Sequence, residues 1–111
     1  MGWTRALPLS EVPEGTAVKV VIDGTDVAVV HTEGEVFAIN DICSHADVSL
    51  SEGDVDGCTL ECWLHGSRFD LRTGAPTGLP AISPVAVYAV SIEGEGADAT
   101  ILVDIEKGPL S

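Results

Sequence analysis

The chain is predicted to fold as an all-β domain, and three observations carry that prediction. Apolar and polar residues alternate with a period of two along much of the chain, the pattern of strands with one buried face. Gly and Pro interrupt every stretch long enough for a helix, so no long helix is expected. The apolar residues, 45% of the chain, are mostly Val, Ala, Leu and Ile, whereas aromatics make up only 5%. That balance favours a compact β structure without large aromatic layers. A length of 111 residues fits one domain, 1–111, able to bury roughly two-thirds of its unfolded surface.

The elements follow in order. Residues 9–13 allow one turn around Ser10-Glu11. Ala17-Val18-Lys19-Val20-Val21-Ile22 and Val27-Ala28-Val29-Val30-His31 read as strands joined by Asp23-Gly24-Thr25-Asp26. Thr32-Glu33-Gly34 then turns the chain into Val36-Phe37-Ala38-Ile39, completing a hairpin meander. Thr59-Leu60-Glu61 and Phe69-Asp70-Leu71 are short strands on either side of a loop. The stretches from Pro84 to Ile92 and from Ala99 to Ile105 form the last hairpin, across Glu93-Gly94-Glu95-Gly96.

With 18 acidic and 5 basic residues the net charge is −13. Nucleic acid is excluded as a partner, because neutralising phosphates takes clustered Lys and Arg, and an anionic membrane would repel the chain. Such a charge suits fast, salt-sensitive docking onto basic patches of other proteins. Three cysteines are an odd number, which argues against a disulfide framework. The start, Met1-Gly2-Trp3-Thr4-Arg5, has no apolar segment of signal-peptide length and no long apolar run follows, so a cytoplasmic location is expected.

The chemistry concentrates in Cys43, His45, Cys62 and His65, arranged as Cys-x-His and Cys-x-x-His. Thiolates and imidazoles are ligands for soft and borderline metals. Zinc modules usually pair Cys with Cys and His with His, whereas here each loop offers one sulfur and one nitrogen. That suits a two-iron cluster with both thiolates on one iron and both imidazoles on the other. Cys58-x3-Cys62-x2-His65 also approaches a zinc pattern; the expectation for Cys58 is instead a buried free thiol acting as a small apolar side chain. His31 is expected at the surface.

The segment Cys43-Ser44-His45 through Cys62-Trp63-Leu64-His65-Gly66-Ser67 resembles the Rieske iron–sulfur family. Leu50-Ser51-Glu52-Gly53, Phe69-Asp70 and Thr73-Gly74 extend the likeness. Within the family the chain is most similar to the small soluble ferredoxins of multicomponent aromatic-ring dioxygenases. The resemblance implies an antiparallel β sandwich or barrel with a small cluster-binding lobe, about 42–67, inserted in a β base lobe. It implies one 2Fe-2S cluster held by Cys43, His45, Cys62 and His65. The implied role is non-catalytic: carrying one electron from a flavin-dependent ferredoxin reductase to a terminal oxygenase.

Trp63, Leu64 and the loop from Pro76 to Pro80 are implied to cover the cluster, and Ser67 to donate to a sulfide. Arg68 either pairs with a carboxylate or sits beside the cluster. High-potential relatives carry an extra Cys in each ligand loop and a Tyr where Phe69 stands. Lacking these, the chain is expected near the low end of the ~−150 to +300 mV range of such centres. The competing readings are a zinc-binding structural or interaction module and the small Rieske subunit of a nitrite-reductase-like enzyme. An oxygenase catalytic subunit is excluded by length and by the lack of a further His pair with a carboxylate.

Overall fold

The computed structural model describes residues 3–42, 48–63, 68–77 and 84–106. Its strands are β1 (Thr4–Pro8), β2 (Thr16–Ile22), β3 (Thr25–Thr32), β4 (Glu35–Asn40), β5 (Asp54–Asp56), β6 (Thr59–Glu61), β7 (Arg68–Asp70), β8 (Val87–Glu93) and β9 (Thr100–Asp104). Only short 3₁₀ turns accompany them among the described residues: Leu9–Glu11, Leu50–Glu52 and Gly96–Asp98. The all-β expectation holds.

The meander β2-β3-β4 is built by two tight turns. Asp23 (φ 50°) with Gly24 (φ 80°), and Glu33 (φ 53°) with Gly34 (φ 77°), occupy the left-handed region in succession. This matches the two-residue type I′ turn, whose twist suits the flanking strands. Because Asp23 and Gly24 suffice, Thr25 and Asp26 already belong to β3 rather than to a four-residue turn, and Ile22 faces Thr25. Likewise Thr32 is the last residue of β3 and faces Glu35.

Six strands form one antiparallel sheet in the order β1-β9-β8-β4-β3-β2, and β5-β6-β7 form a second. The large sheet curls until its edge strands β1 and β2 come together. Its seam lies between β4 and β8, which pair only through Ala38 with Tyr88 and Ile39 with Val87. β8 starts at Val87 rather than Pro84, since the chain just before it is engaged elsewhere: the Val85 N–H donates to the Gly74 carbonyl at 2.9 Å. β1 has little strand character in its sequence, and forms because β9 offers it a pairing edge.

Two apolar layers result. One fills the large sheet with Leu7, Val12, Ile22, Val27, Val29, Ala38, Tyr88, Ile101 and Val103. The other, between the two sheets, joins Ala28, Val30 and Ile39 to Leu50, Leu60, Cys62, Phe69, Leu71 and Val85. β3 supplies both, with Val27 and Val29 on one face and Ala28 and Val30 on the other. A strand buried on both faces needs the unbroken apolar run seen here.

Candidate metal centre

Of the four sequence-predicted ligands, Cys62 falls within the described residues; Cys43, His45 and His65 lie outside them, as do Leu64, Ser67 and Pro80. The centre is therefore built from Cys62 and from the feet of the loops.

Cys62 follows β6, the middle strand of the small sheet. Residues two apart share a strand face, so Cys62 continues the inward face of Leu60 and is 0% exposed in the inter-sheet layer. It is in no disulfide. Its position is set by Gly53, where a Cβ would overlap the Glu61 carbonyl oxygen. Only a glycine lets the turn at Leu50–Glu52 lie against the chain entering Cys62. On the opposite face Glu61 is 3.5 Å from Arg68, which also meets Asp56 at 2.9 Å. Arg68 thus pairs with carboxylates, the first of its two expected roles.

Both feet of the first loop are pinned. Ile42 bridges Ser49 across the segment that carries Cys43 and His45. Asn40 Oδ1 accepts the Ile42 N–H at 2.9 Å, and Asn40 Nδ2 donates to the Tyr88 hydroxyl at 3.1 Å. Asp41 is fully buried: its N–H donates to the Asp26 carbonyl at 2.9 Å, and its own carbonyl accepts the Leu50 N–H at 2.6 Å. Its Oδ1 accepts the Ser51 N–H at 2.8 Å. Neither Asp41 nor the contact of Gly53 was singled out from the sequence; the only signal was their placement just before one ligand pair and within the stretch after it.

The second loop is anchored by β7. Phe69 is fully buried and bridges Pro76, while the Thr77 N–H donates to the Arg68 carbonyl at 2.8 Å. The start of the Pro76 segment therefore runs beside the strand that follows the second ligand pair. Trp63, expected to cover the cluster, is 51% exposed.

The described cysteines differ in kind. Cys58 sits in the turn between β5 and β6 and is partly buried; burial raises its thiol above the ordinary value, partly offset by Arg72 and reinforced by Asp70, Glu33 and Glu35. Cys58 is separated from Cys62 by the length of β6, about 13 Å of extended chain, so the two do not form one zinc pair. Among the described residues no group of three or more His, Cys, Asp or Glu is placed to hold a metal ion. His31 departs from its expected surface position. It is 20% exposed, with Nδ1 donating to the Val12 carbonyl at 2.8 Å and Nε2 3.3 Å from Glu14; it ties the segment before β2 to β3.

The donor chemistry fits an iron–sulfur group. A buried, unpaired thiol at a strand end, backed by Leu60, Phe69 and Leu71, is a soft ligand in a water-poor setting. No described helix is long and apolar enough to cross a membrane.

Comparison with known proteins agrees. Residues 2–89 match the family model of the Rieske 2Fe-2S domain. The biphenyl dioxygenase ferredoxin subunit of Pseudomonas sp. strain KKS102 is 40% identical over 99% of this chain and 98% of its own length. The ferredoxin of carbazole 1,9a-dioxygenase from Nocardioides aromaticivorans IC177 superposes with a TM-score of 0.83 at 38% identity, covering 93% of this chain and 97% of that one. A ferredoxin solved in complex with the reduced oxygenase of carbazole 1,9a-dioxygenase gives 0.81 at 32% identity, covering 95% of this chain and 94% of its own. The chain belongs to the Rieske 2Fe-2S family, whose cofactor is a single two-iron, two-sulfide cluster, and it is an electron-transfer ferredoxin rather than an enzyme.

Proposed function

We propose that this ferredoxin takes one electron from a flavin-dependent reductase in the cytoplasm and delivers it to the terminal oxygenase of an aromatic-ring dioxygenase. Cys43 and Cys62 ligate one iron, and His45 and His65 the other. Residues of about 42–67 form the cluster-binding lobe of a single domain. The observation that carries the ligand reading is the buried, unpaired thiol of Cys62 at the foot of the second loop, with Cys58 set apart from it. When bound, the cluster supplies a site that accepts and releases a single electron.

The protein's own residues contribute rigidity and charge. Gly53 and Asp41 pin the strand end and loop feet, limiting rearrangement on electron transfer. The outward face of the small sheet carries Asp54, Asp56, Glu61 and Asp70 against Arg68 alone. Asp54 faces Glu61 directly, and Arg68, 3.5 Å from Glu61, offsets only part of the like charge on this face. With half-exposed Trp63 beside Cys62, this face suits brief docking onto a basic, partly apolar surface.

The test is absorption and metal analysis of anaerobically purified protein. Two irons and two sulfides per chain, with visible absorption that dithionite bleaches reversibly, are expected. A colourless protein holding one zinc would contradict the reading.

A further inference from the structure

We infer that the Tyr88 hydroxyl positions the first ligand loop, acting through the side-chain amide of Asn40. The inference rests on the ligand reading above, in which Cys43 and His45 sit on that loop. Tyr88 belongs to β8, 48 positions beyond Asn40 in sequence, and is packed into the inner layer of the large sheet with 8% of its surface exposed. Asn40 ends β4, and its N–H donates to the Ala86 carbonyl at 2.9 Å. Its Nδ2 donates to the Tyr88 hydroxyl oxygen at 3.1 Å, while its Oδ1 accepts the Ile42 N–H at 2.9 Å. Ile42 bridges Ser49 across the loop, so one chain of hydrogen bonds runs from the large sheet to the loop's foot.

Packing does not explain the hydroxyl. A Phe ring would fill the same layer, and the backbones of Tyr88 and Asn40 are held at the seam by other contacts, to Ala38 and Ala86. The chemistry of the amide does explain it. Asn presents an acceptor at one end and two donors at the other, on ends of nearly equal shape. The Ile42 N–H only donates, so Oδ1 must face it, which turns Nδ2 toward Tyr88. A hydroxyl oxygen accepts there. A Phe edge would not, and a part-buried donor left without its acceptor is costly. The amide would then turn toward another partner, and Ile42 would lose its own. The hydroxyl therefore favours the one amide orientation that holds Ile42, and narrows the range of positions open to the loop and its ligands. Tyr88 is a positioning residue for the electron-transfer centre, not a ligand to it.

The test is a double-mutant cycle on the holoprotein with Tyr88→Phe, Asn40→Ala and both together. Two properties are followed: release of iron to excess ferrous chelator after reduction, and hydrogen exchange at the Ile42 amide by mass spectrometry. Tyr88→Phe is expected to speed both about fivefold, the equivalent of one hydrogen bond, and to broaden the EPR lines of the reduced protein. Exchange at Val29, in the middle of β3, should stay as in the wild type. Asn40→Ala should do at least as much, and adding Tyr88→Phe to it should change nothing further. Wild-type exchange at Ile42 in Tyr88→Phe would overturn the inference, and that amide can be read whether or not the variant retains iron. Additive effects in the double variant would overturn it too, because Tyr88 would then act independently of Asn40. Equal acceleration at Ile42 and Val29 would do the same, assigning the hydroxyl to the stability of the whole sheet. Failure of the ligand reading would look different, since the wild-type protein itself would then lack the cluster's spectrum.

Discussion

The two sheets are stabilised in different ways. The six-stranded sheet rests on long ladders: β2 and β3 pair through seven residues and β8 and β9 through five. Its turns are local, and its inner layer is mostly Val, Leu and Ile, with Ala38 and Tyr88, contributed by its own strands and the turn beside β1. The small sheet has three strands of three residues each, too short to stand alone. Its order comes from Phe69, Leu60 and Leu50 packed under it, from Gly53 admitting the Glu61 carbonyl, and from Asp41 holding the turn beside it. The large sheet is a frame with long ladders and an apolar layer of its own; the small one is held by specific contacts, and those contacts surround Cys62.

The largest expected effect separates the two outright. His65→Ala or Cys62→Ala should abolish the native cluster, read as loss of visible absorption, while far-UV circular dichroism retains the signal of the large sheet. Collapse of both together would mean that the frame depends on the cluster.

Gly53→Ala comes next. The added methyl must displace the Glu61 carbonyl, and overpacking against backbone costs roughly 3 kcal/mol, with reduced iron content. Gly24→Ala, at a φ of 80° with open space around it, should cost only ~1 kcal/mol and leave iron content unchanged. Equal losses of iron in the two variants, measured after identical purification, would erase the distinction drawn here.

Leu60→Ala, from the layer shared by the sheets, should destabilise by about 3 kcal/mol in thermal unfolding and broaden the EPR signal of the reduced protein. Val29→Ala, on the inner face of the frame, should destabilise without altering that signal.

How far the sequence could be read follows the same division. The meander and the last hairpin were legible because alternation and Asp-Gly or Glu-Gly turns are local signals. β3 was legible for its unbroken apolar run. β1 was not, because Thr4-Arg5-Ala6-Leu7-Pro8 becomes a strand only through its pairing with β9. β5 was equally hidden, since Asp54-Val55-Asp56 has little strand preference and borrows order from β6. At the centre, the donor types and their spacing stood in the sequence, whereas the work of Asp41 and Gly53 depends on residues ten and eight positions away. The partial burial of His31 has the same origin, a contact with Val12 on a separate segment.

The smallest effect concerns Cys58. Cys58→Ser should leave the visible spectrum intact; its loss would transfer a ligand role to Cys58. Burial raises this thiol above its ordinary 9.0, and the thiolate is the reactive form. Alkylation of Cys58 in the holoprotein should therefore rise with a pH midpoint above that value. A midpoint below it would show an activated thiolate instead.

The central claim is that paired sulfur and nitrogen donors hold a mixed-ligand two-iron cluster. Mössbauer spectra of iron-enriched protein test it most directly. Two inequivalent ferric sites are expected in the oxidised protein, with the added electron localised on the site of His45 and His65 after reduction. Two equivalent iron sites, or none, would contradict the account.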